Sequence, residues 1–272
     1  MISDLRSWEV KKNEISQMNF ANKTVLITGA SSGIGEALAR NLSKENCRLA
    51  LAARRIALLE KLSGELKLNG CDPLVVKCDV SKKEDVSAAY RQIKNKFGGI
   101  DIAILNSGAG HKVTVDNYDS KFAEEIFGAN LFGIIYWVEQ LLPEYFEKKK
   151  GTIVGISSLA DNRGFSESGF YSSSKAAVSI YLEGLRVELN PYGIKVITVK
   201  PGFIKTPMTD KNNFKMPFIM SPEKAAEIIL GGIKKEKRII QFPWQTVFLS
   251  RLVGLLPGSI YEWLAGSRLV EK

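Results

Sequence analysis

TVLITGASSGIGEALARNLSKENCRLALAA, residues 24–53, decides the architecture of this chain. The short apolar run ending at Thr28 reads as a strand, and Gly29, Gly33 and Gly35 mark a turn. Ala37, Leu38 and Leu42 then recur at helical spacing, and Arg48 to Ala53 reads as a second strand. With glycines at the bend, backbone N–H groups and the helix N-terminus can face a pyrophosphate that side chains would keep away. Gly29, Ser31, Ser32, Gly33, Ile34 and Gly35 are therefore candidate contacts to a dinucleotide.

The same alternation continues outward. A helix starts at Ile56, a strand spans Pro73 to Cys78, a charged amphipathic stretch ends at Phe97, and the strand IDIAIL stops before Asn106. Tyr118 to Lys150 reads as one long helix that Pro143 bends or restarts. The strand TIVGIS (Thr152 to Ser157), a helix from Ser172 to Leu189 and the strand KVITVK (Lys195 to Lys200) follow. Ser221-Pro222 then opens a helix to about Ile233 in the N-cap and N1 sense. Strands alternating with helices predict an α/β fold with a doubly wound parallel sheet covered on both faces.

The chain has 272 residues, 45% hydrophobic and 25% charged, which excludes disordered, collagen-like and disulfide-rich classes. A net charge of +9 favours anionic company: a phosphorylated cofactor, nucleic acid or an acidic membrane surface. No recognised nucleic-acid reader motif accompanies the spread of Lys and Arg, and the lysines at 148–150 and 234–237 are expected to face solvent. Cys47, Cys71 and Cys78 form no CxxC pair and His111 is the sole histidine, so no metal site is expected and a reducing compartment is the easier reading. The first twenty residues lack the apolar run of roughly 7 to 15 residues that a secretory signal needs, and a cytoplasmic protein is expected.

The second strand ends Ala53-Arg54-Arg55, where an acidic residue would hold the ribose hydroxyls of NAD. Arg54 would instead welcome a 2′-phosphate through charge-assisted hydrogen bonds, which points to NADP(H), and Arg55 beside it is a further cofactor-binding candidate. Tyr171 and Lys175, four positions apart on one helix face, suit proton exchange with an alcohol or carbonyl oxygen, the ammonium being expected to depress the phenol's pKa. Ser158, just past a buried strand, can place a hydroxyl beside that oxygen.

TGASSGIG at 28–35, NSGAG at 106–110, Asn130, Ser158, YSSSK at 171–175 and PGFIKT at 201–206 together resemble the short-chain dehydrogenase/reductase family over roughly residues 21–235. The resemblance implies a single-domain Rossmann fold and an enzyme transferring hydride between NADP(H) and a carbonyl or secondary alcohol. It makes Tyr171 the acid/base and gives Lys175 the nicotinamide ribose and the lowering of the phenol's pKa. Ser158 would polarise the substrate oxygen, and Asn130 would hold a water linking Lys175 to solvent. Asp79, with Val80, would meet the adenine. Asn106 and Gly108 would pass beneath the cofactor, and Pro201, Gly202, Ile204 and Thr206 would border the nicotinamide. One departure is Ser107, where the family usually has a second asparagine.

Residues 1–20 read as an N-terminal extension, 21–238 as the catalytic domain and 239–272 as an apolar C-terminal extension. Family members place a mobile substrate lid where this chain has 203–220. Met208, Phe214, Met216, Phe218 and Met220 make that stretch suited to an apolar substrate, with His111, Phe165 and Phe170 as further lining candidates. In the tail a helix is expected around Val247 to Leu256. Its Phe248, Leu252 and Leu255 side has three candidate resting places: a partner subunit in a homodimer or homotetramer, the chain's own substrate cleft, or a membrane surface aided by Trp244 and Arg251. Arg251 and Glu262 bound a stretch too short to span a bilayer. A second function class is a catalytically silent NADP-binding regulatory protein on the same fold, against which the intact Asn130, Ser158, Tyr171 and Lys175 set argues.

Overall fold

Alternation along each strand builds the sheet's two cores, as period-two geometry requires. Thr24–Thr28 (β1) and Arg48–Ala53 (β2) flank the helix Gly33–Leu42 (α1). Val25, Ile27, Leu49 and Leu51 face one side of the sheet, while Leu26, Ala50 and Ala52 face the other. The structure is a computed structural model that describes residues 18–212 and 214–270. The expected N-terminal extension lies, up to residue 17, outside the described residues. Phe20 beyond it is fully buried, and Met18 N–H donates to the Lys234 carbonyl at 2.8 Å.

Ile56–Leu68 (α2), Leu74–Lys77 (β3), Lys83–Phe97 (α3) and Ile102–Leu105 (β4) follow. After them come Ser120–Phe127 (α4), Gly133–Lys148 (α5), Gly151–Ile156 (β5), Gly169–Leu189 (α6), Ile194–Pro201 (β6) and Pro222–Lys234 (α7). Ser221 caps α7 by accepting from Lys224 N–H at 3.2 Å, with Pro222 at its first position, as the sequence predicts. Ile239–Phe242 (β7), Trp244–Leu255 (α8) and Gly258–Val270 (α9) complete the chain.

The strands form one seven-stranded parallel sheet in the order β3-β2-β1-β4-β5-β6-β7. The order reverses between β1 and β4, which opens a crevice at the carboxyl ends of those strands, where this class of sheet binds ligands. Leu38 and Leu42 of α1 pack with Ile229 and Ile233 of α7 on one face. Ile93 of α3, Trp137 and Leu141 of α5 and Leu182 of α6 fill the other.

Three expectations are corrected. The long helix does not break at Pro143, which lies inside α5; the irregularity is a π turn at Gly128–Phe132, between α4 and α5. Residues 115–117 form a separate 3₁₀ turn ahead of α4, so the helix begins at Ser120 and not at Tyr118. Four residues read as the start of the C-terminal extension are β7, paired with β6 through Val199↔Ile240 and its neighbours. In the tail Trp244, Phe248, Leu252 and Leu255 are exposed. No helix among the described residues is long and apolar enough to cross a membrane.

Candidate active site

Gly29 leaves β1 with φ +66°, a conformation that side chains with a Cβ rarely adopt. A Cβ on Gly35 would stand 2.3 Å from the Gly29 carbonyl oxygen, so the turn can fold this tightly onto α1 only with glycine there. Ser32 precedes α1 in extended conformation, and its side chain accepts no first-turn N–H. A helix N-terminus without a side-chain cap presents backbone donors and a partial positive charge, and this donor set fits a pyrophosphate. Arg55 reaches across from the start of α2 and donates to Ser31 Oγ at 2.9 Å and Ser32 Oγ at 2.6 Å. Arg54 is exposed beside it, and β2 ends in Ala53, so the strand offers no carboxylate at this corner.

Asn106 clamps the switch point. Its backbone N–H and that of Ser107 donate to Thr28 Oγ1 at 2.9 and 3.0 Å, and its amide donates to the Thr28 carbonyl at 3.0 Å. Two residues on, a Cβ at Gly108 would stand 3.1 Å from Asn130 Oδ1 and 3.6 Å from Lys175 Nζ, so the bare glycine leaves these two groups their place. Asn130 is fully buried in the π turn, and its Oδ1 accepts from Ala109 N–H at 2.7 Å. Its Nδ2 donates to the Ala109 carbonyl at 3.1 Å and to Ser174 Oγ at 2.9 Å. Ser174 passes the connection on by donating to the Tyr171 carbonyl at 2.7 Å.

Ser158 opens a 3₁₀ turn beyond β5, with its Oγ accepting from Ala160 N–H at 3.1 Å. Lys175 Nζ is buried, donates to the Ile156 carbonyl at 2.9 Å and lies 5.8 Å from the Tyr171 ring centroid. Burial pushes Lys175 down to about 8. The expected depression of Tyr171 is not what these surroundings produce. Burial pushes the phenol up, the hydrogen bond with Ser158 pulls it back, and the Asp161 carboxylate pushes it up further. Desolvation of the phenolate outweighs its partners.

Behind these groups runs a polar chain that sequence reasoning missed. Ser157 Oγ donates to the Lys175 carbonyl and meets Ser179 Oγ, both at 2.8 Å. Ser179 donates to Asp161, which pairs with Lys200 at 2.7 Å. Ser179 follows Lys175 by four residues and so shares its helix face, a signal present in the sequence; Asp161 and Lys200 carry none.

Other candidates are placed as follows. Asp79 Oδ1 accepts from Ser81 N–H at 3.1 Å and Ser81 Oγ at 2.7 Å, and Val80 is buried against α5. Pro201 ends β6, and Gly202 N–H donates to the Phe242 carbonyl at 2.8 Å. Ile204 bridges Met220, and with Lys205 N–H donating to the Met220 carbonyl at 2.9 Å it staples the base of the 203–220 segment. Thr206 Cγ2 stands 2.9 Å from where a Gly33 Cβ would be, so this segment starts over the glycine-rich turn. A Cβ at Gly110 would be 3.4 Å from both Met208 Sδ and Tyr171 Cδ2, so one apolar lid residue and the tyrosine ring both border this glycine. His111 pairs with Glu125 at 3.0 Å and packs on Phe122, while Phe170 packs on Tyr118. Phe165 is exposed. No cluster of metal-ligating side chains occurs among the described residues.

A phosphate-suited turn at a switch point, with a serine, tyrosine and lysine gathered past the carboxyl ends of the strands, defines a Rossmann-type oxidoreductase. Residues 23–216 match the short chain dehydrogenase family, and the chain belongs to it. An uncharacterized oxidoreductase of Myxococcus xanthus (strain DK1622) is 35% identical over 240 residues, covering 88% of this chain and 95% of that protein. An alcohol dehydrogenase of Thermococcus sibiricus, solved with 5-hydroxy-NADP, superposes with TM-score 0.73 at 28% identity, covering 81% of this chain and 94% of that one. A short chain dehydrogenase/reductase of Burkholderia phymatum, solved with NAD, shares the fold at TM-score 0.80 and 22% identity, over 86% of this chain and 94% of that one. NAD(P)(H)-dependent oxidoreductase chemistry is what this family and fold carry.

Proposed function

We propose that the protein is an NADP(H)-dependent oxidoreductase interconverting a carbonyl compound and its alcohol, with a preference for apolar substrates. The observation that carries this reading is the group Ser158, Tyr171 and Lys175, tied to the buried Asn130 and standing beyond the same strand ends as the glycine-rich turn. Arg55 over Ser31 and Ser32, with Ala53 ending β2, supports the 2′-phosphorylated cofactor. Met208, which like the Tyr171 ring borders Gly110, supports an apolar substrate.

NADP(H), when bound, supplies or takes up the hydride. Gly29, Ser31, Ser32, Gly33, Ile34 and Gly35 would hold its pyrophosphate, Arg55 and Arg54 its 2′-phosphate, and Asp79 and Val80 its adenine. Pro201, Gly202, Ile204 and Thr206 would border its nicotinamide. In reduction Ser158 Oγ orients the substrate oxygen and Tyr171 gives its proton to that oxygen as the carbonyl carbon receives the hydride. Oxidation runs the same steps backwards. Because burial raises the phenol, Tyr171 stays protonated at neutral pH, the form that carbonyl reduction consumes. Lys175, with its pKa near 8, re-protonates the phenol. Asn130 has committed its side chain to Ala109 and Ser174, so its share in a water relay would pass through the main chain of the π turn, where the helical ladder is interrupted. A homodimer or homotetramer fits the exposed Ile180 and Val187 of α6.

The test is the oxidation of NADPH and NADH with a panel of aldehydes, ketones and 3-oxoacyl compounds, using wild type and Tyr171→Phe. Turnover with NADPH is expected, and Tyr171→Phe should lose it by at least about a thousandfold while still binding NADPH. Undiminished turnover in the variant removes Tyr171 from the chemistry.

A further inference from the structure

Immediately past Ser158, residues 159–164 form a short loop held from two directions. From inside, Asp161 pairs with Lys200 at 2.7 Å and accepts from Ser179. From outside the loop carries the C-terminal helices. Helix α8 lies across the carboxyl ends of β5 and β6. Near its start Thr246 Cγ2 stands 3.2 Å from where a Gly202 Cβ would be, and near its end a Cβ at Gly254 would stand 3.2 Å from Asn162 Nδ2.

Polar links join the loop to the tail. Asn162 Nδ2 donates to the Ser250 carbonyl at 2.6 Å and Ser250 Oγ at 2.9 Å, and Ser250 Oγ donates to the Leu159 carbonyl at 3.2 Å. Arg163 Nε donates to the Val253 carbonyl at 3.2 Å, and one terminal nitrogen donates to the carbonyls of Gly254, at 3.1 Å, and Leu256. These carbonyls lie at the C-terminal end of α8, the negative end of its dipole, where a cation is favoured, and the Val253 carbonyl accepts as well from Leu256 N–H at 3.3 Å. The same guanidinium stacks 5.1 Å from the ring centroid of Tyr261 in α9, and Tyr261 Oη donates back to the Gly164 carbonyl at 2.6 Å. Arg163 thus ends α8, orients α9 and belongs to the loop that begins at Ser158.

We infer that Arg163 is a positioning residue, locking α8 and α9 to the loop behind Ser158 so that α8 forms the outer wall of the substrate cleft. The inference rests on the oxidoreductase reading of Ser158 and Tyr171. A lysine can supply the charge at this position, but it cannot span three carbonyls and an aromatic face at once.

Full-length wild type, Arg163→Met and Arg163→Lys are compared in NADPH-dependent reduction of propanal and decanal, and by hydrogen exchange. Arg163→Met should raise KM for decanal by about fivefold or more, with kcat, the KM for propanal and NADPH binding within about twofold of wild type; Arg163→Lys should recover part of the loss. In exchange, peptides covering 159–164 and 250–256 should lose protection together while the 24–35 turn keeps its own. Exchange that quickens in 250–256 alone, or a decanal-to-propanal KM ratio equal to wild type, overturns the inference. Should Arg163→Met fail to fold, Tyr261→Phe carries the same measurements. If wild type reduces neither aldehyde, the oxidoreductase reading loses its support separately, and coupled or uncoupled exchange alone decides for or against the clamp.

Discussion

Lys175 shows what a buried ammonium costs a fold. The residue is 4% exposed, and burial moves its ammonium from 10.5 to about 8. Between those values the unfolded chain holds a proton that the folded chain lacks, so stability rises as pH climbs from 8 to 10.5, and the full cost is present below 8. That cost is up to about 3 kcal/mol. In the cofactor-free protein Lys175→Met should therefore raise stability to urea by up to about 3 kcal/mol near pH 7, the gap closing towards about pH 10.5. Equal stabilities near neutrality would mean that the hydrogen bond from Nζ to the Ile156 carbonyl, lost in the variant, offsets the cost of burying the charge. Under the proposed mechanism, carbonyl reduction should decline as pH rises through about 8, where Lys175 loses the proton it would return to Tyr171. The direction expected for Tyr171 from sequence failed for a related reason: a residue list reveals a neighbouring charge but not how much water the fold removes.

The elements differ in how far their own sequence determines them. The β1–α1–β2 unit was legible residue by residue because its periodicities and its glycine bend are local signals. β7 was not, since Ile239–Phe242 is a strand only by virtue of β6 beside it. At Pro143 the local signal misled. Pro143 sits on an exposed side of α5, where the carbonyl it leaves without a donor can turn to water, so the helix runs through. The real irregularity, at Gly128–Phe132, is fixed by Asn130 bonds to Ala109 and Ser174, 21 and 44 residues away in sequence. Asn130→Ala leaves both Ala109 backbone groups unpaired. It should destabilise the fold by about 2–4 kcal/mol in urea denaturation, with exchange at 128–132 quickened more than in α6. A loss below about 0.5 kcal/mol would mean that the π turn holds without the asparagine.

At the scale of the molecule, sheet order and net charge act on the same end of the protein. The reversal between β1 and β4 brings the glycine-rich turn to the carboxyl ends of the strands, and Arg54 and Arg55 stand exposed at its corner on a chain of net charge +9. Exposed charges of this kind attract at long range and are screened within a Debye length of about 10 Å at 0.1 M salt. In the proposed placement a 2′-phosphate would add up to two negative charges where Arg55 stands, so NADPH should feel this field more strongly than NADH does. Association of NADPH should slow by about tenfold between low and about 0.5 M salt, with NADH slowing distinctly less. Arg55→Ala should reduce NADPH affinity by about tenfold, leave NADH within about twofold and flatten the NADPH salt dependence towards that of NADH. Stopped-flow measurement of nicotinamide fluorescence on binding reads all three. Parallel salt dependences for the two cofactors in wild type would place the 2′-phosphate away from Arg55, and the serines Ser31 and Ser32 would then be that arginine's only partners at the turn.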